Sequence, residues 1–210
     1  NKIIVRKATQ GEKLVTLDSQ ERTLDKEMLL ICDGERPVAI AGVMGAENSE
    51  VTSQTKTVMI ESAYFNPVNI RKTAKRLGLP SEASHRFERG IDIENVIEAG
   101  NRAAYLMQEY AGGQIVTGVI DVYPEPYKAL EIELNIDMAN RVLGLGLSAE
   151  EIKEMLTKLK FKVEINSDKE LNVAVPAFRG DVEREADIIE EIARMYGILL
   201  YPYILILLKK

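Results

Sequence analysis

The fold is decided by a hydrophobic stretch at residues 28–43, MLLICDGERPVAIAGV. It contains two short apolar runs, 28–32 and 38–43, which are separated by the turn-forming residues 33–37. Apolar runs of this length that are bounded by Asp, Gly and Pro are typical of strands. The stretch therefore predicts two strands with a turn between them. Further strand-like runs occur at residues 3–5 and 57–60.

Two helices are predicted downstream of these strands. Asn66 and Pro67 open the first one, because Asn is a favoured N-cap and Pro fits the first helical position. This helix runs to about Arg76 and stops at Gly78. A longer helix with an apolar face is predicted from about residue 92 to 110, where two glycines follow.

A linker at Tyr123-Pro124-Glu125-Pro126 marks a domain boundary, after a strand-like alternation at 115–122. In the second unit, Ser148 and Glu151 form a capping box that opens a helix. A last helix is predicted at 183–196. The other predicted elements are a strand at 130–136, a short helix at 137–143 and a hairpin at 161–165 and 171–175.

This order of elements indicates a mixed α/β (α+β) chain of two domains. Helices followed by a β-ribbon resemble a winged-helix arrangement. The predicted divisions are a mixed α/β domain at 1–125, a small winged-helix-like α+β domain at 126–200 and an apolar tail at 201–210. The tail is too short to span a membrane, so we expect no membrane partner.

The composition excludes several classes of site. Cys32 is the one cysteine and His85 the one histidine, so the chain can form neither an internal disulfide nor a Cys/His zinc site. Cysteine usage fits a reducing compartment, and we expect a cytoplasmic protein. The formal net charge of -6 restricts any nucleic-acid contact to local basic patches. DNA binding is not expected, because the last helix is acidic.

Two features stand out as candidate binding elements. Gly42 and Gly45 stand at the end of a predicted strand, within residues 41–46, and glycines there allow close approach of a ligand to the backbone. An ordinary glycine turn is the alternative. Glu61 follows the predicted strand at 57–60, where its carboxylate could accept a hydrogen bond inside a pocket. A solvated charge at the end of a strand is the alternative.

Charged residues concentrate in two further places. The stretch 81–90 combines arginines, glutamates and His85 around one phenylalanine, which predicts a hydrogen-bonded loop; the histidine is either a base or a structural donor. The predicted helix after Pro67 carries four cations, which either meet RNA phosphates or form a solvated face. They are Arg71, Lys72, Lys75 and Arg76.

The last helix begins with acidic residues. Asp187, Glu190 and Glu191 are spaced i, i+3, i+4 and share one helical face, and Asp181 stands just before the first turn. Hard oxygen ligands without Cys or His favour Mg²⁺ over zinc. Alternatively, acidic residues at a helix start stabilise its dipole.

Four stretches together resemble one family. Residues 41–46, 61–67 and 84–92 are similar to the editing domain of bacterial phenylalanyl-tRNA synthetase beta subunits, and residues 179–197 are similar to the domain that follows it there. The order and spacing of these motifs match the family from about residue 15 to 197. Residues 198–210 match it poorly.

The resemblance implies hydrolysis of tyrosine that has been attached in error to tRNA(Phe). Glu61 would accept the phenolic O–H, which distinguishes tyrosine from phenylalanine. Further pocket residues of the family lie upstream of Asn1, so we expect this stretch alone to be inactive in editing. The family often has threonine where Ser81 stands, and a second glycine where this chain has Ala46. The pocket would be lined by Ala41, Gly42, Gly45, Ser81 and Ala83.

The resemblance also implies a metal and a partner subunit. Asp181, Asp187, Glu190 and Glu191 match Mg²⁺ ligands of the family, at the contact with the alpha subunit. ATP-dependent aminoacylation would take place in the alpha subunit. The alternative functions are a non-catalytic RNA-binding or subunit-docking module, and a free-standing aminoacyl-tRNA deacylase.

Overall fold

The computed structural model describes residues 2–197 of the 210-residue chain. The chain divides into two compact units, one up to Asp121 and one from Val122 onward. Both units combine helices with antiparallel sheets, which confirms the predicted mixed α/β class. The predicted tail at 201–210 lies outside the described residues.

The first unit contains six short strands: β1 Ile4–Lys7, β2 Lys13–Val15, β3 Glu21–Thr23, β4 Leu29–Cys32, β5 Pro37–Ile40 and β6 Met44–Gly45. Four of them form an antiparallel sheet in the order β1-β4-β5-β6, and β2 pairs with β3. The predicted strands at the centre are confirmed, because β4 pairs with β5. In the turn between them, the Asp33 carboxylate accepts hydrogen bonds from the backbone N–H groups of Glu35 and Arg36.

The first unit also contains three helices: α1 Pro67–Leu77, α2 Glu82–Phe87 and α3 Val96–Ala111. Helix α1 is confirmed with its predicted ends. The Asn66 side chain accepts a hydrogen bond from the Asn69 N–H, and Gly78 ends the helix in a left-handed conformation. Helix α3 is also confirmed and follows a single 3-10 turn at Ile93–Asn95.

Helix α2 corrects the prediction of a hydrogen-bonded loop at 81–90. The Ser81 hydroxyl accepts from the Ser84 N–H, and the Ser84 hydroxyl accepts from the Ser81 N–H. This reciprocal cap satisfies two of the N–H groups that lack partners at a helix start, and it allows a helix of only six residues to form.

Two predicted strands were wrong. Residues 57–60 and 115–122 have no regular secondary structure, and apolar side chains in both runs are exposed, such as Met59 at 66% and Ile120 at 90%. β-branched residues favour a strand only where a neighbouring strand supplies backbone partners. None of the described strands pairs with either run. Glu61 therefore does not stand at the end of a strand.

Up to residue 197, the second unit contains three strands, β7 Glu131–Asn135, β8 Lys162–Ser167 and β9 Glu170–Ala174, and three helices, α4 Ile136–Leu143, α5 Ala149–Lys158 and α6 Glu185–Tyr196. Its sheet is antiparallel in the order β7-β9-β8. All the predicted elements of this unit are confirmed, including the helices that precede the hairpin. Helix α6 starts two residues later than predicted, with Arg184 as its N-cap.

Each unit has its own hydrophobic core. In the second unit, side chains from α5, α6 and the sheet are fully buried, including Ile152, Leu156, Leu171 and Ile188. In the first unit, the core joins the sheet to α1 through Phe65 and Ile70. Burial of such side chains is the main favourable contribution to the stability of each unit. The buried residues of the first sheet include Leu30 and Ile40, and Ala41 and Val43 in the turn after β5 are buried as well.

Two left-handed glycines give a test of this packing. A Cβ at Gly42 would lie 2.7 Å from Ile70 Cδ1 and 2.8 Å from a Phe65 ring carbon, whereas a Cβ at Gly78 would meet no described atom within 4 Å. We expect Gly78→Ala to lower the free energy of unfolding by about 1 kcal/mol, the cost of the left-handed conformation. Gly42→Ala should cost about 3 kcal/mol, because overpacking is added.

Urea unfolding followed by circular dichroism measures both variants. Gly78→Ala is the matched control, since the two glycines have nearly the same φ, +66° and +60°. Equal losses in the two variants would show that the approach of Phe65 and Ile70 does not matter for stability.

Candidate functional site

Residues 41–46 comprise the turn after β5 and the short strand β6, and backbone hydrogen bonds hold both ends. The Ala41 N–H donates to the Leu29 carbonyl at 2.9 Å, and the Ala46 N–H donates to the Val38 carbonyl at 2.8 Å. Ala41 and Ala46 are both buried. The backbone of this segment is therefore fixed from both ends, as a preorganised site requires.

The two glycines of this segment face different surroundings. The open side of Gly42 faces the core, where Phe65 and Ile70 approach it. A Cβ at Gly45 would lie 3.1 Å from Leu17 Cδ1, the end of a flexible side chain. Gly42 is therefore required for packing of the core. At Gly45, by contrast, the Leu17 side chain could move to admit a larger group.

A hydrogen bond links this segment to helix α2. The Ser81 hydroxyl donates to the Val43 carbonyl at 2.5 Å and accepts from the Ser84 N–H. Two of the sequence-predicted stretches, about 40 residues apart, thus meet at one place. Because its proton is already used, Ser81 can offer a ligand only an acceptor lone pair. Ala83 is exposed in the first turn of α2.

Glu61 lies in the irregular segment before α1, and the residue that follows it is tied to helix α3. The hydroxyl of the next residue, Ser62, donates to the Val96 carbonyl at 2.6 Å. A Cβ at Gly100 would lie 3.1 Å from Ser62 Cβ, so the absence of a side chain allows this approach. The backbone beside Glu61 is therefore anchored to a helix and not, as predicted, to a strand.

The Glu61 carboxyl has an unusual environment. The residue as a whole is exposed, but partial burial of the carboxyl raises its pKa, and no neighbouring charge offsets the shift. Among residues 2–197, no Lys or Arg forms an ion pair with it. Because no hydrogen bond to this carboxyl is found among the described residues, it can accept one from a ligand.

His85 does not take part in this group of contacts. It is exposed in the last turn of α2, and its backbone carbonyl accepts a hydrogen bond from Arg89 Nη1 at 2.7 Å. Nothing places its ring against Glu61 or Gly45. The described contacts therefore support the structural alternative for this stretch.

In the second unit, Arg179 holds two of the four predicted metal ligands. Its guanidinium donates to both carboxylate oxygens of Asp181, at 2.8 and 2.6 Å, and to Glu191 at 2.8 Å. Arg194 also pairs with Glu191, whose side chain is only 9% exposed. Hydrogen bonds from Arg179 lower the pKa values of Asp181 and Glu191 and keep both carboxylates ionised.

The other two predicted ligands point elsewhere. The Asp187 carboxylate accepts hydrogen bonds from the backbone N–H groups of Glu183 and Arg184, both at 3.0 Å, and so caps α6. Glu190 is exposed. Within residues 2–197, no three His, Cys, Asp or Glu side chains lie close enough to hold a metal ion. The donor set in this arrangement does not fit Mg²⁺, because an arginine already neutralises two of its members.

Sequence reasoning missed three residues of these sites: Ser62, Gly100 and Arg179. A signal existed for Gly100, because a glycine inside a predicted helix reduces its stability and often marks a close approach. Arg179 is a cation directly before an acidic run, which is a signal for an internal ion pair. Ser62 carried no signal of its own.

Comparison with known proteins shows similarity along most of the chain. Residues 1–112 match the B3/4 domain, and residues 132–198 match the tRNA synthetase B5 domain. The chain is 49% identical over 196 residues to the phenylalanine–tRNA ligase beta subunit of Geobacter metallireducens, and 51% identical over 195 residues to that of Geobacter sulfurreducens. Each match covers 93% of this chain and 24% of the relative, so the chain spans about a quarter of their length.

A solved structure shows the same fold. It is an N-terminal fragment of the phenylalanyl-tRNA synthetase beta subunit from Pyrococcus horikoshii, with a TM-score of 0.51 and 20% sequence identity. The match covers 94% of this chain and 56% of that one.

Across residues 2–197 there is no helix of the length and hydrophobicity that crossing a membrane requires.

The ion pairs of Arg179 give a testable consequence. Arg179→Met leaves Glu191 buried with only Arg194 as a partner, and removal of one member of a buried pair typically costs about 3 kcal/mol. We expect that loss in the free energy of unfolding at pH 7, measured by urea denaturation. The double variant Arg179→Met/Glu191→Met should recover part of it, because an apolar pair can replace a buried ion pair.

Arg184→Met is the control, since the Arg184 side chain is 79% exposed and its ion pair with Asp187 lies at the surface. It should change stability by no more than about 0.5 kcal/mol. If Arg179→Met lowers the free energy of unfolding by no more than this control does, Arg179 does not organise the start of α6.

Proposed function

The chain belongs to the phenylalanine–tRNA ligase beta subunit family, with a B3/4 domain followed by a B5 domain, and from this membership we propose that its first unit takes part in removing tyrosine that has been attached in error to tRNA(Phe). The observation that carries the proposal is the hydrogen bond from Ser81 to the Val43 carbonyl. It joins the glycine segment to the start of α2, and the family resemblance assigns both to one pocket.

The discrimination that such a site must achieve rests on a single hydroxyl group. Tyrosine carries a phenolic O–H that phenylalanine lacks, and a site that bonds this hydroxyl can select tyrosine strongly. Glu61 is suited to accept it, because its carboxylate has no cationic partner among the described residues. The phenylalanyl ester has no hydroxyl to donate to that carboxylate, and this ester would therefore bind less well than the tyrosyl ester.

The chain contributes binding and orientation to the reaction. Cys32 is buried in the core, and the proton of the Ser81 hydroxyl is donated to a backbone carbonyl. Neither residue is therefore placed as an activated nucleophile. In this proposal water attacks the ester carbonyl, and the pocket residues hold the tyrosyl group so that the ester is presented to it.

The second unit is proposed to dock against the alpha subunit. ATP-dependent aminoacylation belongs in this proposal to the alpha subunit, in a cytoplasmic enzyme. The proposal includes no step through Mg²⁺, because Arg179 holds Asp181 and Glu191, and Asp187 caps α6. Its support is the match of residues 132–198 to the B5 domain.

A first test fills the proposed pocket. We expect Gly45→Trp, in the complete beta subunit assembled with its alpha subunit, to lower release of tyrosine from Tyr-tRNA(Phe) by at least about 100-fold, because a bulky side chain takes the place of the ligand. Aminoacylation should be unchanged. Gly34→Trp is the matched control, since Gly34 lies in an exposed turn with no described atom within 4 Å of a Cβ. Normal tyrosine release by Gly45→Trp would refute the pocket.

A second test addresses the hydroxyl. Glu61→Ala should lower kcat/KM for tyrosine release by about 10- to 100-fold, the effect of losing one hydrogen bond to a charged group. The preference for tyrosyl over phenylalanyl esters should fall by the same factor. The measurement is hydrolysis of both esters on the same tRNA. An equal loss for both substrates would mean that Glu61 does not read the hydroxyl.

A further inference from the structure

Helix α1 carries an unusual concentration of positive charge. Its eleven residues include Arg71, Lys72, Lys75 and Arg76 and no acidic residue, although the chain as a whole has a net charge of -6. All four cations are exposed. At 100° per residue they cover one broad face of the helix, and Arg71 and Lys75 lie about 6 Å apart along its axis.

This arrangement reduces the stability of the helix. Arg71 with Lys75, and Lys72 with Arg76, are like-charged pairs at i, i+4, and such pairs destabilise helices. The helix dipole favours cations only in the last turn, which contains Lys75 and Arg76. Local stability therefore does not account for Arg71 and Lys72, and residues that reduce stability without a structural gain are candidates for function.

Most of this charge is not neutralised within the described part of the chain. Arg76 pairs with Asp25 at 3.0 Å. For Arg71, Lys72 and Lys75, no acidic group of residues 2–197 lies within ion-pair distance. Three exposed cations thus remain available to an external anion.

An open groove lies beside this face. Its volume is about 680 Å³, and Lys7, Lys72 and Arg76 contribute cations to its wall. The two acidic residues of the wall are already paired, Glu27 with Lys7 at 3.0 Å and Asp25 with Arg76. Lys72 remains as the unpaired charge of the groove, which therefore extends the basic face of α1.

We propose that this face of α1 binds the phosphate backbone of an RNA strand, with Arg71, Lys72 and Lys75 as the phosphate contacts. The choice of RNA rests on the proposed function, since a tRNA is the polyanion that such an enzyme handles. Long cationic side chains on a helix contact phosphates without reading bases. The surface therefore supplies affinity and orientation, and it leaves selection of the amino acid to the pocket.

The experiment compares two triple variants of the complete synthetase. Arg71→Gln/Lys72→Gln/Lys75→Gln removes the proposed contacts, and glutamine keeps a high helix propensity and relieves the like-charge repulsion. The matched control is Lys128→Gln/Lys153→Gln/Lys162→Gln, which removes the same charge from exposed positions in the second unit that also lack an ion pair with the described residues. Circular dichroism checks that both variants fold.

Binding of uncharged tRNA(Phe) is measured by fluorescence anisotropy from 50 to 200 mM salt. We expect the α1 variant to bind about tenfold more weakly at 100 mM salt and to show a slope of log K against log salt that is shallower by about 2. The control variant should match the unmodified enzyme. Equal weakening of tRNA binding in both variants would show that only the net charge of the enzyme matters, and it would overturn the proposal. Unchanged tRNA binding by the α1 variant would overturn it as well.

Two further measurements distinguish an RNA-binding surface from the editing pocket and from a membrane-binding surface. Hydrolysis of tyrosyl-adenosine, which lacks the tRNA backbone, should be unchanged in the α1 variant but lost in Gly45→Trp, so failure of the pocket and failure of the RNA surface are distinguishable. Sedimentation with vesicles containing 30% anionic lipid tests a membrane surface instead. A variant that loses vesicle binding while it keeps tRNA binding would overturn the proposal.

Discussion

The left-handed turn at Gly42 is the constraint on which the first unit depends. It ends the central strand after Ile40 and, because it carries no side chain, leaves space for Phe65 and Ile70 to reach the sheet. Those two residues fix the start of α1. The same turn presents the Val43 carbonyl to Ser81, which begins α2. One backbone conformation thus determines where β5 ends, where α1 packs and where Ser81 contacts the chain.

Local signals were sufficient to predict much of this fold. The central hairpin, α1 and α5 follow from turn residues and caps that act within four or five positions of each other, such as Ser148 with Glu151. The failures at 57–60 and 115–122 have a non-local cause. A short apolar run or an alternating pattern forms a strand only if another strand supplies the hydrogen bonds, and the local sequence does not show whether one does. Helix α2 escaped prediction because its cap uses Ser84 in place of the expected Glu or Gln.

The candidate sites show the same division. The glycine segment, Glu61 and the start of α2 could be selected from the residues and the family resemblance. The hydrogen bond from Ser81 to Val43, which joins the glycine segment to α2, and the one from Ser62 to Val96, which ties the residue after Glu61 to α3, depend on tertiary structure. The acidic residues of α6 illustrate the limit more sharply. Their spacing indicates a shared helical face, but it does not show that Glu191 is buried or that Arg179 lies against it. A charge pattern is therefore ambiguous between a metal site and an internal ion pair.

The contact between Arg179 and Glu191 also acts as a non-covalent cross-link along the chain. It closes a loop of about a dozen residues that includes the whole connection into α6. Closing this loop costs chain entropy, and the packing of α6 against the core offsets that cost. The connection and the first half of α6 should therefore open as a single cooperative segment. In hydrogen exchange, that segment would show shared protection, with the amide groups of a surface loop exchanging at the rate of the helix to which it is tied.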